Sequence, residues 1–124
     1  MSLREGDSAV ADQQTSDRQE LLEQELKRFL DLLVGRADLE RIIVFGSMAT
    51  GQIQPWSDID LVIVQHTHLQ FLRRIHEARR LLRPRVATDI LVYTPREFED
   101  LCRERRFFQE EIVGRGKVLY ERSR

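Results

Sequence analysis

A single cysteine, Cys102, stands in a chain of 124 residues. That excludes an internal disulfide framework, excludes a Cys-rich zinc module, and fits a reducing compartment. Proline is equally sparse, with three residues, and glycine is limited to six, so neither a collagen-like repeat nor a low-complexity linker is present. No apolar run approaches the roughly 20 residues that span a bilayer. The N-terminus shows no basic start followed by an apolar stretch, the mark of a secretory signal. A cytoplasmic setting without membrane attachment is the expectation. Aromatic residues make up only 7% of the chain and are not interleaved with the basic ones. A stacking platform for single-stranded nucleic acid is therefore unsupported, and binding of RNA or DNA has no basis beyond one basic helix.

Charge is plentiful and unevenly placed. Asp, Glu, Lys and Arg form 33% of the chain, with a net charge of −1. Residues 1–62 sum to −6 and residues 63–124 to +5. Such asymmetry permits an electrostatic partner face, although solvated Arg-rich helices account for it as well. Arg73, Arg74, Arg79, Arg80, Arg83 and Arg85 read as one such solvated helix face.

Residues 1–16 are polar and lack periodicity, which predicts a disordered tail ahead of one domain over 17–124. From Asp17 the pattern becomes helical: Leu22, Leu26, Phe29, Leu30 and Leu33 recur on one side, and Gly35 suits a left-handed stop. Residues 40–45 predict a buried strand ending at Gly46-Ser47. A helical turn over 47–51 follows, with Ser47 as its cap, and then a loop broken by Pro55 and Ser57. Residues 58–65 predict a second strand, 68–82 a helix, and 86–93 a third strand. Pro95 opens another helix at its tolerated first turn, and a short strand, KVLYE, closes the chain. This order predicts an α/β (α+β) protein: a small mixed β-sheet flanked by helices.

The chemistry concentrates in GSMATGQIQPWSDID, residues 46–60. Asp58 and Asp60 are two apart at a strand entrance, so both project to one face while Ile59, Leu61 and Ile63 project to the other. Two such acids repel and raise each other's pKa unless a cation lies between them. Mg²⁺ suits the pair, since it takes hard oxygen ligands and binds through one or two carboxylates plus substrate phosphates. Asp89 lies in the apolar third strand among Val86, Ala87, Ile90, Leu91 and Val92, where a carboxylate is costly unless partnered. If the second and third strands are neighbours, Asp89 completes a triad with Asp58 and Asp60. Three carboxylates can hold two ions about 3.5–4 Å apart for in-line phosphoryl displacement, and Mn²⁺ could replace Mg²⁺. Gly46 allows the backbone to approach a phosphate, Ser47 offers a hydroxyl, and the amides of the turn offer donors. Gly51 supplies a second sharp bend.

Gly46, Ser47, Ala49, Gly51, Ser57, Asp58, Asp60 and Leu61, with Asp89 in a later strand, resemble the signature of the DNA polymerase beta nucleotidyltransferase superfamily. The short chain is similar to its minimal nucleotidyltransferase (MNT) branch, the MntA-like antitoxins, over roughly residues 18–122. The resemblance implies a polymerase-beta-like nucleotidyltransferase fold. It makes Asp58, Asp60 and Asp89 the catalytic and metal-binding residues, and Gly46, Ser47, Gly51 and Ser57 the nucleotide-binding ones. It further implies transfer of AMP from ATP to a hydroxyl of a partner protein, the partner being a HEPN-type toxin. Two other outcomes are compatible with the same residues: a non-catalytic antitoxin acting by steric contact, and nucleotidyl transfer to a small molecule. Met48 and Thr50 occupy positions where many members of the family carry arginine.

Overall fold

The computed structural model describes the backbone of residues 2–123 and the side chains of residues 10–123. Helix α1 (Ser2–Leu33) leads into strand β1 (Leu39–Phe45), the one-turn helix α2 (Ser47–Thr50) and strand β2 (Ile59–Gln65). Helix α3 (Phe71–Leu82), strand β3 (Thr88–Tyr93), helix α4 (Pro95–Glu104), a π-helical turn (Phe108–Gly114) and strand β4 (Lys117–Glu121) complete the chain. The sheet order is β3-β2-β1-β4. β1 runs antiparallel to β2 and β4, whereas β2 and β3 run parallel. The sheet is thus mixed and flanked by helices, as the sequence predicts.

Alternation along the strands gives the sheet two dry faces. Ile42, Val44, Ile59, Leu61, Ile63, Ile90 and Val92 pack in one cluster with Leu22, Leu26, Phe29 and Leu33 of α1 and Leu82 of α3. Ile43, Val62 and Val64 pack in the other with Phe98 of α4 and Phe108 and Ile112 of the π-helical turn. A fully buried aliphatic or aromatic side chain contributes about 1.5–3 kcal/mol. Large side chains in both layers, Phe29, Leu61, Val62 and Ile112 among them, are essentially inaccessible, so these two layers hold the fold. Helix α4 starts on a capping box. Thr94 Oγ1 accepts from Glu97 N at 3.2 Å, Glu97 Oε1 accepts from Thr94 N at 2.8 Å, and Pro95 occupies the first turn.

Two sequence expectations, both at α3, need correction. Ahead of them, residues 2–16 run helical and continuous with α1; Met1 lies outside the described residues. The segment is rich in helix-compatible residues and carries an i,i+4 link from Gln13 Nε2 to Asp17 Oδ1 at 2.9 Å. Residues 10–17 are nonetheless almost wholly exposed, which is why no apolar period marks them. The arginines around α3 do not form a single solvated face. Arg74 is buried, donating to Glu97 at 2.6 Å and to Leu69 O at 2.7 Å, and Arg79 donates to Thr88 O at 2.5 Å. These two fasten α3 to β3 and α4. Finally, α3 begins at Phe71, and residues 66–70 are loop. Among the described residues no helix is long and apolar enough to cross a membrane.

Helix α1 is tied to the α3–β3 connection by Glu25, a buried carboxylate. It accepts from Arg28 Nε at 2.7 Å and Nη2 at 2.9 Å, and from Arg85 N at 2.5 Å. The Arg28 hydrogen bonds outweigh burial and hold its pKa below the ordinary 4.5. A depressed carboxylate stabilises the fold above its unfolded pKa and loses that contribution as pH falls through the folded value. Glu25→Gln should therefore cost about 1–2 kcal/mol at pH 7. The deficit against the parent should shrink as the pH drops below about 4.5, read by urea unfolding at a series of pH values.

Candidate nucleotide and metal site

The site lies at the entrance to β2. The antiparallel β1–β2 register sets Phe45 opposite Asp60, and the parallel β2–β3 register sets Asp60 opposite Asp89. Register partners in adjacent strands share a face. Asp60 precedes Val62 by two residues and Asp89 precedes Leu91 by two, so both carboxylates extend the face that α4 covers. They lie on the strand-entrance side of that apolar cluster. Asp60 is half-buried and Asp89 is exposed on the edge strand. The edge position lets the Asp89 carboxylate meet water, which relieves the cost of an acid in an apolar strand, and the more confined acid is Asp60.

Asp60 is pushed up from 3.8 to about 6. Burial is the largest cause, followed by the charge of Asp89, a hydrogen bond between the two carboxyl groups, and the charge of Asp58. Asp58 stands just before the strand, exposed, with Oδ1 3.4 Å from Arg18 Nη2 of α1. Arg18 Nε also donates to Ser57 O at 2.8 Å. Sequence reasoning missed Arg18, and no local pattern could have found it, since the contact spans 40 residues and depends on where α1 lies.

Gly46 adjoins this acid pair. Its φ is +72°, a value L-residues with a side chain rarely take, and a Cβ there would overlap Asp60 Oδ2 and lie 3.3 Å from Cγ. The backbone therefore closes on the carboxylate. Gly46 itself is the N-cap residue of α2, with no side-chain cap, so Ser47 is the first helical residue and not the cap expected. Gly46 O accepts from Ala49 N at 3.1 Å and Thr50 N at 3.2 Å, and Gly51, in the left-handed region, donates to Ser47 O at 2.9 Å. Ser57 is buried, and its Oγ accepts from Gln54 N at 2.8 Å, closing the loop before Asp58. That hydroxyl has a structural task, whatever it offers a nucleotide. Trp56 is 74% exposed at the rim. His66 lies elsewhere, 2.8 Å from Glu40, and Cys102 lies against the α4 core, its thiol pushed up by burial.

Whether these residues suit a divalent cation is a question of donor chemistry. Two carboxylates in contact, one of them half-buried and reluctant to ionise beside the other, form a hard, anionic oxygen pair suited to Mg²⁺ or Mn²⁺. Among the described residues no three His, Cys, Asp or Glu side chains form a ready cluster, and Asp58 is paired with Arg18. Mg²⁺ commonly takes one or two carboxylates and completes its shell with water and phosphate oxygens, which this pair can serve.

Two outcomes follow. Gly46→Ala should destabilise the protein by at least about 1–2 kcal/mol through the positive φ, and should displace Asp60; thermal unfolding and divalent-ion titration would read both. For Asp60 the sign is opposite to that of Glu25. The folded state takes up a proton between about pH 4 and 6 that the unfolded chain does not, so stability falls as pH rises through that window. Without divalent ions, Asp60→Asn should be about 1 kcal/mol more stable than the parent at pH 7.5, allowing for solvent screening. The two should converge near pH 4.

The sequence model of the family described as "Polymerase beta, Nucleotidyltransferase" matches residues 24–124. A solved structure from Sulfolobus solfataricus, assigned as a nucleotidyltransferase, superposes with a TM-score of 0.63 at 20% identity, covering 88% of each chain. A mutant form of the toxin–antitoxin MntA-HpeT gives 0.46 at 21% identity, over 82% of this chain and 73% of that one. A toxin–antitoxin structure with AMP-PNP gives 0.47 at 20% identity, over 82% and 74%. At such identities structural likeness speaks to the fold alone. No curated protein matches the sequence closely enough to be called a relative. With the family model spanning all but the first part of α1, the chain belongs to the polymerase beta nucleotidyltransferase family.

Proposed function

We propose that the protein transfers a nucleoside monophosphate, AMP from ATP, to a hydroxyl of a partner protein. The observation that carries this reading is the pairing of Asp60 with Asp89 across β2 and β3, with the Gly46 backbone closed against Asp60. A carboxylate pair kept together at a strand entrance, with a side-chain-free turn beside it, suits a triphosphate chelated to a divalent ion.

Asp60, Asp89 and, once released from Arg18, Asp58 would hold Mg²⁺. When bound, the ion neutralises charge on the triphosphate and lowers the pKa of the attacking hydroxyl. The chain's own groups do the rest. The turn at Gly46 and Ser47 receives phosphate oxygens at its backbone, with Gly51 completing the bend and Ser57 keeping the Asp58 loop in place. Asp89, exposed on the edge strand, is reachable from solvent and can accept the proton of the incoming hydroxyl. The hydroxyl oxygen forms a bond to the α-phosphorus as the bond to the bridging oxygen breaks, and pyrophosphate leaves.

A macromolecular acceptor is favoured by the rim. Trp56 exposes apolar surface two residues from Asp58. The sequence resemblance to MNT antitoxins makes a HEPN-type toxin the partner to try first.

Incubation with α-labelled ATP, Mg²⁺ and the candidate partner should label the partner. Asp60→Ala or Asp89→Ala should lower labelling at least about 100-fold. Neutralisation of the partner that persists undiminished in both variants, without labelling by the parent, would establish steric binding instead.

A further inference from the structure

Between Arg41 and Arg73 the chain has no lysine or arginine. The whole segment bearing the Gly46 turn, Asp58 and Asp60 therefore offers a triphosphate no cation of its own. Among the described residues, a basic side chain from a distant part of the sequence does reach this segment. Arg18 of α1 donates from Nε to Ser57 O at 2.8 Å and places Nη2 3.4 Å from Asp58 Oδ1. The two contacts differ in kind. The Nε bond to the carbonyl is short and the residue is partly buried there, while the Nη2 contact is long and meets an exposed carboxylate.

An open groove lined by Gln14, Asp17, Arg18, Leu21 and Pro55 lies beside it, so the Arg18 side chain borders open space. A divalent ion at Asp58 and a guanidinium on the same carboxylate would repel. Binding of the ion would free the Nη end while Ser57 O keeps the side chain at the site. The anion that arrives with the ion is the triphosphate, and a planar guanidinium matches phosphate oxygens.

We propose that Arg18, supplied by α1, is the phosphate-binding cation of this site. It holds Asp58 as a counter-ion before binding and turns to the nucleotide's phosphates afterwards. The proposal rests on the nucleotidyl-transfer reading and deepens it.

The test is a pair of titrations on the full chain by calorimetry, Mn²⁺ alone and ATP with saturating Mg²⁺. Arg18→Ala should tighten Mn²⁺ about threefold or more, because a competing cation is gone, and should weaken Mg-ATP about tenfold or more. Arg18→Gln keeps a donor for Ser57 O and should show the same opposed signs, whereas Arg18→Lys should recover Mg-ATP affinity to within about threefold of the parent. A loop merely disordered by the substitution would weaken both ligands in Arg18→Ala and spare both in Arg18→Gln; either pattern, or an unchanged Mg-ATP affinity, overturns the proposal. If the parent itself binds no Mg-ATP, the nucleotidyl-transfer reading falls and the phosphate role falls with it. The Mn²⁺ arm then still shows whether Arg18 competes for Asp58.

Discussion

Two acids set opposite each other across adjacent strands are the constraint on which the site depends. Asp60 and Asp89 would separate if they could. The parallel register of β2 and β3 does not let them, because it is fixed by Leu61 against Ile90 and Ile63 against Val92, all buried beneath α1 and α3. Slipping the register by one residue to part the acids would turn those apolar side chains out of the core. Burial first, and the neighbouring acids after it, raise the pKa of Asp60, so the cost is imposed by the packing that holds it in place. Such local cost, sustained by the surrounding fold, is common where a ligand supplies the missing partner.

The rest of the architecture protects that arrangement. β1 brings the Gly46 turn to Asp60, and only a residue without Cβ can close there. Glu25 and Arg28 fix α1 to the connection before β3, with Arg28 Nη2 also donating to Arg83 O at 3.0 Å. Arg74 and Glu97 join α3 to α4. These buried or half-buried polar links add less energy than the two apolar layers, but they are directional. The Glu25 links help set where α1 runs, and hence that Arg18 meets Ser57 and Asp58 just ahead of β2.

Much of this was legible in the sequence because it is local. Leu22, Leu26, Phe29 and Leu33 declare α1 by period, Pro95 declares the start of α4, and the alternation of Asp58 and Asp60 with Ile59, Leu61 and Ile63 declares a strand with one apolar face. The Gly-Ser and Asp-x-Asp spacing carries the resemblance to the family on its own. What stayed illegible is what periodicity does not encode. Residues 10–17 form helix without burying a face, so they left no pattern. Arg74 and Arg79 looked like their solvated neighbours, because an arginine's identity does not say whether its guanidinium meets water or a carbonyl.

The chain's own order of residues determined the elements, the apolar layers, and which acids and glycines could serve phosphate chemistry, since each follows from spacing within a few residues. The tertiary structure alone decided that Asp89 sits exposed on an edge strand opposite Asp60, that the Ser57 hydroxyl is engaged in its own loop, and that Arg18 faces Asp58. Those depend on strand order and helix placement, which are set by the summed packing of residues far apart in sequence, and no short-range pattern carries that sum.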